Sequence, residues 1–270
     1  MATVDLGDRR LWYDASVAGD GDPVLLIQGV GAIGEAWRPQ IDGLRDRFRL
    51  GWYDNRGIGQ SGPPIRATSV EALASDARAV LDALGWDRAH VVGHSLGGVI
   101  AQQLALDAPA RVRTLSLLCT FHRGRDVGIP SWRVVWSGLR SRVGTQAMRR
   151  RAFLELVAPR SVLAGDRDAV AAAMAPLFGR DLGDAEPMAS VQLAALRAHD
   201  ASARLAALAS IPTLVVSADE DPIAPPVYGQ RLAAAIGTAR YFELTDASHA
   251  CVIHRAADVN ALLAGQFARG

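Results

Sequence analysis

The chain has 270 residues, half of them hydrophobic, a size that suits one large α/β domain with a substantial core. Its 29 basic residues, all arginine, nearly balance 28 acidic ones, which excludes a basic stripe of the kind that tracks phosphates and predicts no nucleic-acid partner. Two cysteines, Cys119 and Cys251, are too few for a disulfide scaffold, the segment Met1 to Arg10 lacks an apolar leader core, and no run approaches about 18 apolar residues, so a cytoplasmic protein with no membrane segment is expected.

The first elements differ from the rest. Thr3 to Leu6 and Arg10 to Ser16 flank Gly7-Asp8, a two-residue turn signal, so an antiparallel hairpin leads the chain in. Continuous apolar runs follow at Val24–Ile27, Leu50–Tyr53, His90–Val92, Thr114–Leu118, Thr213–Val216 and Tyr241–Leu244. Such runs read as strands covered on both faces. Helical patterns between them predict an α/β fold with a mostly parallel sheet of about eight strands. One helix is plain. Thr68 and Glu71 have capping-box spacing, Val70, Leu73, Ala74, Ala77, Val80, Leu81 and Leu84 share a face, and Gly85 terminates it.

From Thr120 to about Arg204 the alternation stops. No strand signal appears, and the stretch carries Trp132, Val135, Trp136, Leu139, Phe153, Leu154, Leu156 and Val157, then an alanine-rich segment at Ala169–Ala175. A helical cap inserted after the sixth strand is predicted, spanning 120–204, with the core formed by 1–119 and 205–270. Ile211-Pro212 restarts the sheet.

Gly93-His94-Ser95-Leu96-Gly97 matches G-x-S-x-G. Five residues recur by chance, but here the motif follows a strand and opens a helix, the setting a nucleophile elbow requires. A strained turn lifts the serine hydroxyl clear of the sheet, and the new helix aims its free N–H groups at the same place. A serine hydroxyl needs a base to take its proton. Ser217-Ala218-Asp219-Glu220-Asp221-Pro222 and Ala247-Ser248-His249-Ala250 both follow strands, at the sheet edge where open α/β folds place their sites. Either Asp219 or Asp221 would serve as the orienting acid.

These segments, with Gln28-Gly29-Val30-Gly31 and Asp54-Asn55-Arg56-Gly57-Ile58-Gly59-Gln60-Ser61, resemble the α/β-hydrolase fold family over nearly the whole chain. The resemblance implies Ser95 as nucleophile, His249 as base and Asp221, the acid shortly before a proline, as its orienting partner. It also implies an oxyanion hole made by the backbone N–H groups of Leu96 and Val30. Family members usually carry His-Gly where this chain has Gln28-Gly29, and often Glu and Pro after the histidine loop where this chain has His254 and Ala256. The resemblance implies that Asp54 and Arg56 brace the loop beside the site, with a catalytic role for either as the alternative, and that His94 packs behind the nucleophile.

No histidines or carboxylates sit at metal-ligand spacing, and no Lys-Ser/Thr follows Gly29–Gly34, so neither metal nor phosphate cofactor is expected. The cap supplies the candidate pocket residues, Trp132, Trp136, Phe153 and Leu154. It is also rich in arginine: Arg123, Arg125, Arg133, Arg140, Arg142, Arg149, Arg150, Arg151 and Arg160. These form either a solvated helix face or, where one points inward, a clamp for a substrate carboxylate. The predicted activity is hydrolysis of a small-molecule carboxylic ester or lactone through an acyl-enzyme. Carbon–carbon bond hydrolysis or peracid formation by the same triad, and a non-catalytic or weakly catalytic small-molecule receptor on the same fold, are the alternatives. An aminopeptidase is disfavoured because no acidic cluster is evident in the cap. The sequence leaves the oligomeric state open.

Overall fold

Eight strands run in the order β1-β2-β4-β3-β5-β6-β7-β8, and residues 1–16, 19–126 and 143–270 are described by this computed structural model. The first pair, β1 (Ala2–Asp5) and β2 (Arg10–Ala15), is antiparallel and β2 pairs antiparallel with β4 (Arg49–Tyr53). Gly7 turns the hairpin at φ +86°, and the Leu6 N–H donates to Arg9 O at 2.8 Å across it. All other neighbours are parallel: β3 (Pro23–Ile27), β4, β5 (Ala89–His94), β6 (Val112–Leu118), β7 (Thr213–Ala218) and β8 (Arg240–Leu244). Every residue of β3, β5 and β7 is buried, as the continuous apolar runs predict for strands with helices on both faces.

Two apolar layers sandwich the sheet. On one face, α2 (Val70–Ala83), α3 (Leu96–Asp107) and α8 (Pro226–Ile236) pack on Leu25, Ile27, Val91, Leu115, Leu117 and Val215. On the other, α1 (Arg38–Leu44), α9 (Cys251–His254) and α10 (Ala256–Phe267) pack on Val24, Leu26, Val92, Leu118, Leu214 and Val216. Among these residues the odd-numbered ones face one way and the even-numbered ones the other, which follows from the two-residue period of the pleat.

The predicted helix at Val70 is present, but its cap is not Thr68. Ser69 is the N-cap, with extended φ/ψ, and its Oγ accepts the Ala72 N–H at 3.2 Å. Both residues are good cap formers, and spacing to Glu71 favours Thr68; the helix instead starts one residue later, which makes Glu71 the second helical residue. Its carboxylate also reaches His199 Nδ1, 3.3 Å distant. The other end is as predicted: Gly85 at φ +67° and Trp86 close a Schellman turn, with N–H groups on Asp82 O and Leu81 O.

Between β6 and β7 the described residues hold four α-helices, α4 (Gln146–Val157), α5 (Arg160–Leu163), α6 (Arg167–Phe178) and α7 (Ala189–Ala198), short 3-10 turns and one isolated antiparallel bridge between Arg123 and Asp200. A third apolar cluster, Leu154, Val157, Ala171, Met174 and Leu182, joins this insertion to Ala250 of the body. The Ala250 N–H donates to Val157 O at 2.9 Å, tying α4 to the loop before α9. Among the described residues no helix is long and apolar enough to cross a membrane.

Candidate active site

Ser95 stands between β5 and α3 at φ +54°, ψ −119°, a backbone state L-residues avoid. Several contacts hold it there. The Ser95 N–H donates to Leu118 O at 2.9 Å, and Ser95 O accepts the Thr120 Oγ1–H at 2.7 Å and the Gly98 N–H at 2.9 Å. The flanking glycines are steric necessities: a β-carbon on Gly97 would stand 2.0 Å from Ile27 O, and one on Gly93 2.2 Å from Gly97 O. The turn thus presents the serine side chain at the carboxyl edge of the sheet while leaving the residue only 7 % exposed.

The loops after β7 and β8 meet it. His249 Nε2 lies 3.0 Å from Ser95 Oγ, and His249 Nδ1 lies 2.7 Å from Asp221 Oδ2. The other Asp221 oxygen accepts the N–H groups of Ile223 and Ala224 at 2.8 and 2.9 Å. Burial pushes the Asp221 carboxyl up; the imidazole of His249 and these amides outweigh it together, and the net direction is down. Asp221 is therefore an ionised acceptor. Asp219 does a different job: its oxygens accept the Asp246 and Ala247 N–H groups, both at 3.1 Å, lacing the acid loop to the histidine loop. Of the two acids that the sequence offers, Asp221 is the one that touches His249.

His94 packs edge-on against Trp37 and bonds the His249 carbonyl oxygen through Nε2 at 2.7 Å. Burial, and next the neighbouring His249, push its pKa down to about 3, so the ring is neutral and Nε2–H is the donor. Asp54 and Arg56 brace their loop. Asp54 accepts the Gly34 and Gln60 N–H groups, and Arg56 forks onto the buried Asp76, which Arg9 also reaches. Cys119 and Cys251 are buried free thiols with sulfurs 3.5 Å apart. No group of three or more His, Cys, Asp or Glu that could hold a metal occurs among the described residues.

Two backbone donors flank Ser95. Asn55 Nδ2 holds the carbonyl of Gln28 at 3.2 Å, fixing the loop after β3. Within that loop the Gly29 N–H is taken by Gln28 Oε1 and the Gly31 N–H by Gln192 Oε1. The N–H groups of Val30 and Leu96 have no hydrogen-bond acceptor among the described residues. Gly29 lets the loop come close: a β-carbon there would lie 3.1 Å from Ser95 Cβ.

A cavity of about 800 Å³ opens on Ser95 and His249. Phe121, Phe153, Leu156, Val157 and Phe178 of the insertion after β6 line it beside Val252. Leu154, predicted as a pocket residue, points elsewhere. It is one helical step from Phe153 and packs inside the cap, while Leu156 and Val157 take the wall. Trp132 and Trp136, the other predicted pocket residues, lie outside the described residues. Among the predicted cap arginines that the structure describes, only Arg149 lines the cavity; Arg125, Arg150, Arg151 and Arg160 pair with Asp200, Asp181, Asp168 and Glu220 at the surface. Arg133, Arg140 and Arg142 lie outside the described residues. The wall also holds Arg180, Asp184 and Glu186, which no motif marks. Gly179 signals the end of α6, but nothing in the sequence says which way the chain turns beyond it. These acids correct the expectation that the cap lacks them. A smaller cavity of about 250 Å³ lies between Arg66–Glu71 and α7 and contains none of these groups.

Residues 22–255 match the family described as alpha/beta hydrolase fold. A protein of Azorhizobium caulinodans named "Putative carbamate hydrolase RutD" is 34% identical over 244 residues, covering 90% of this chain and 89% of the relative. The enol-lactonase of Burkholderia xenovorans LB400 superposes with a TM-score of 0.82 at 27% identity, over 99% of this chain and all of that one. An N-acyl homoserine lactone degrading enzyme, Est816, gives 0.80 at 28% identity, over 98% and 99%. The elbow at Ser95, the strand order around it and a family match running through most of its length establish that this chain belongs to the α/β hydrolase fold family.

Proposed function

We propose that the protein is a serine hydrolase of small carboxylic esters or lactones, working through an acyl-enzyme, with residues 120–204 as the cap over the site. The observation that carries this reading is the continuous hydrogen-bonded path from Asp221 through His249 to Ser95, at 2.7 and 3.0 Å, on the wall of an 800 Å³ cavity. In the proposed reaction His249 Nε2 takes the Ser95 proton as Oγ attacks the carbonyl carbon. The oxygen that becomes negative is met by the N–H groups of Val30 and Leu96. Asp221 holds the ring with Nδ1–H toward itself and stabilises the imidazolium. His249 then protonates the leaving alcohol, and water, activated by the same ring, releases the acid. A lactone follows the same course, its alcohol staying on the acyl chain. The apolar wall suits the acyl portion.

A second reading has its own support. The RutD relative is named for carbamate hydrolysis, and a carbamate carbonyl is attacked by the same groups. A panel of nitrophenyl esters of graded chain length, acyl lactones and a nitrophenyl carbamate separates the two. Ester or lactone turnover at least tenfold above carbamate turnover, lost in Ser95→Ala, is the expected result. Carbamate as the best substrate overturns the first reading, and equal rates for wild type and Ser95→Ala overturn both.

A further inference from the structure

Three donor groups around the loop Gln28–Gly31 find no hydrogen-bond acceptor among the described residues. Gln28 Oε1 is committed to the Gly29 N–H, which fixes the amide's orientation and leaves Nε2 buried and unpartnered. Gln192 on α7 repeats the pattern: Oε1 takes the Gly31 N–H at 2.8 Å, and its Nε2 is buried without a partner. Arg180 is the third. Its side chain is 18 % exposed, and Nη1 donates to Asp184 O at 2.8 Å and Asp181 O at 3.3 Å. Nε is buried with no hydrogen bond, Glu186 Oε2 standing off at 3.6 Å. Nη2 makes no hydrogen bond with the described residues and lies 3.7 Å from where a β-carbon on Gly31 would be.

Orphaned donors in a buried site are costly, and those on a cavity wall state what its ligand must bring; Gln28 and Arg180 are on this wall, with Gln192 behind it. Here they ask for an acceptor. Each wall carboxylate has one oxygen engaged, Glu186 Oε1 by the Met188 N–H and Asp184 Oδ1 by the Gln146 amide, and Glu186 Oε2 stands 3.6 Å from Arg180 Nε. We infer that the Gly31 end of the cavity is an anion subsite, in which Arg180 binds a carboxylate carried by the substrate at a distance from the scissile carbonyl. The Nε–Nη2 edge of a guanidinium matches a carboxylate's two oxygens. Burial lowers the Arg180 pKa more than Glu186, Asp184 and Asp181 raise it, so an incoming anion adds to the partial compensation that Glu186 gives from 3.6 Å. Glu186 competes for the same edge and sets a limit on how tightly the anion is held.

The inference rests on the proposed hydrolase reading and is tested so that the two fail separately. Three nitrophenyl esters of matched length are compared: neutral pentanoate, the monoester of glutarate with its free carboxylate, and 4-(trimethylammonio)butanoate. Wild type prefers the glutarate ester through KM. Arg180→Met raises that KM on the order of 10- to 100-fold, as expected for a lost charged hydrogen bond, with kcat and the neutral ester changed less than about threefold. Glu186→Gln lowers the glutarate KM. Equal losses on the neutral and anionic esters, or a wild-type preference for the trimethylammonium ester, overturn the subsite. Arg180→Lys, which keeps the charge and loses the fork, gives an intermediate KM and serves where the methionine variant does not fold. If no ester is turned over above Ser95→Ala, the hydrolase reading fails, and calorimetry with monomethyl glutarate still decides the subsite. Wild type must bind it at least threefold more tightly than Arg180→Lys; a smaller difference, or unmeasurable binding, overturns it.

Discussion

Asp219 and Asp221 stand two residues apart in one loop, yet one touches the imidazole and the other the backbone of the facing loop. Asparagine at 221 keeps the volume but favours the wrong ring tautomer and cannot stabilise an imidazolium. On the proposed mechanism Asp221→Asn loses on the order of 10³ to 10⁴ in kcat on an activated ester, the scale seen when a triad aspartate is so replaced. Asp219→Asn retains one acceptor for two amides and loses less than about tenfold in kcat, with a small loss of stability. The check is kcat for both variants with circular dichroism as control, and a larger loss at Asp219 would contradict the assignment. Ser95 and His249 were legible because the hydroxyl and imidazole sit in strand-end motifs with defined chemistry. Gln192 was not, because its bond to the Gly31 N–H joins residues 161 apart in the chain; Arg180 was not, because nothing local shows that the turn after Gly179 sets it on the cavity wall.

At the scale of elements, the strands were legible because burial on both faces leaves unbroken apolar runs, and the hairpin because Gly7 alone tolerates its turn. The start of α2 shows where such reading stops. Thr68 and Ser69 are chemically similar, and only the backbone decides which one's oxygen reaches an amide. Ser69→Ala therefore costs about 1 kcal/mol of stability, the usual loss for a serine cap. Thr68→Ala removes no such bond, since Thr68 Oγ1 is buried without a partner, and costs less. Urea denaturation of the two variants tests this, and a larger loss at Thr68 would restore the capping box. The cap insertion was legible as a lapse in strand signals. The inward face of α4 was not, because its apolar residues occupy more than one side: Leu154 turns to the cap interior while Phe153, Leu156 and Val157 meet the cavity.

For the molecule as a whole, buried neutral histidines set the response to acid. Burial depresses His94 to about 3, and burial is likewise the leading cause that takes His90 and His254 to about 4. His254 Nε2 accepts the Ser248 N–H, a role open only to the neutral ring. Unfolding frees these groups to take protons below about pH 6.5. A base depressed in the folded state contributes stability that is full above its unfolded value and lost as pH falls toward its folded one. The enclosed His94 alone gives a slope approaching about 1.4 kcal/mol per pH unit within that window. The urea midpoint at pH 5.0 should thus lie below that at pH 7.5, and an equal or higher midpoint would refute this account. The central claim is that Ser95 is the nucleophile, held ready by His249. Labelling with a fluorophosphonate, read by mass spectrometry of the modified peptide, tests it most directly. The account predicts a single adduct on Ser95, formed at least about a hundredfold more slowly in His249→Ala; a stable adduct on another serine, or unchanged labelling of Ser95 without the histidine, would contradict it.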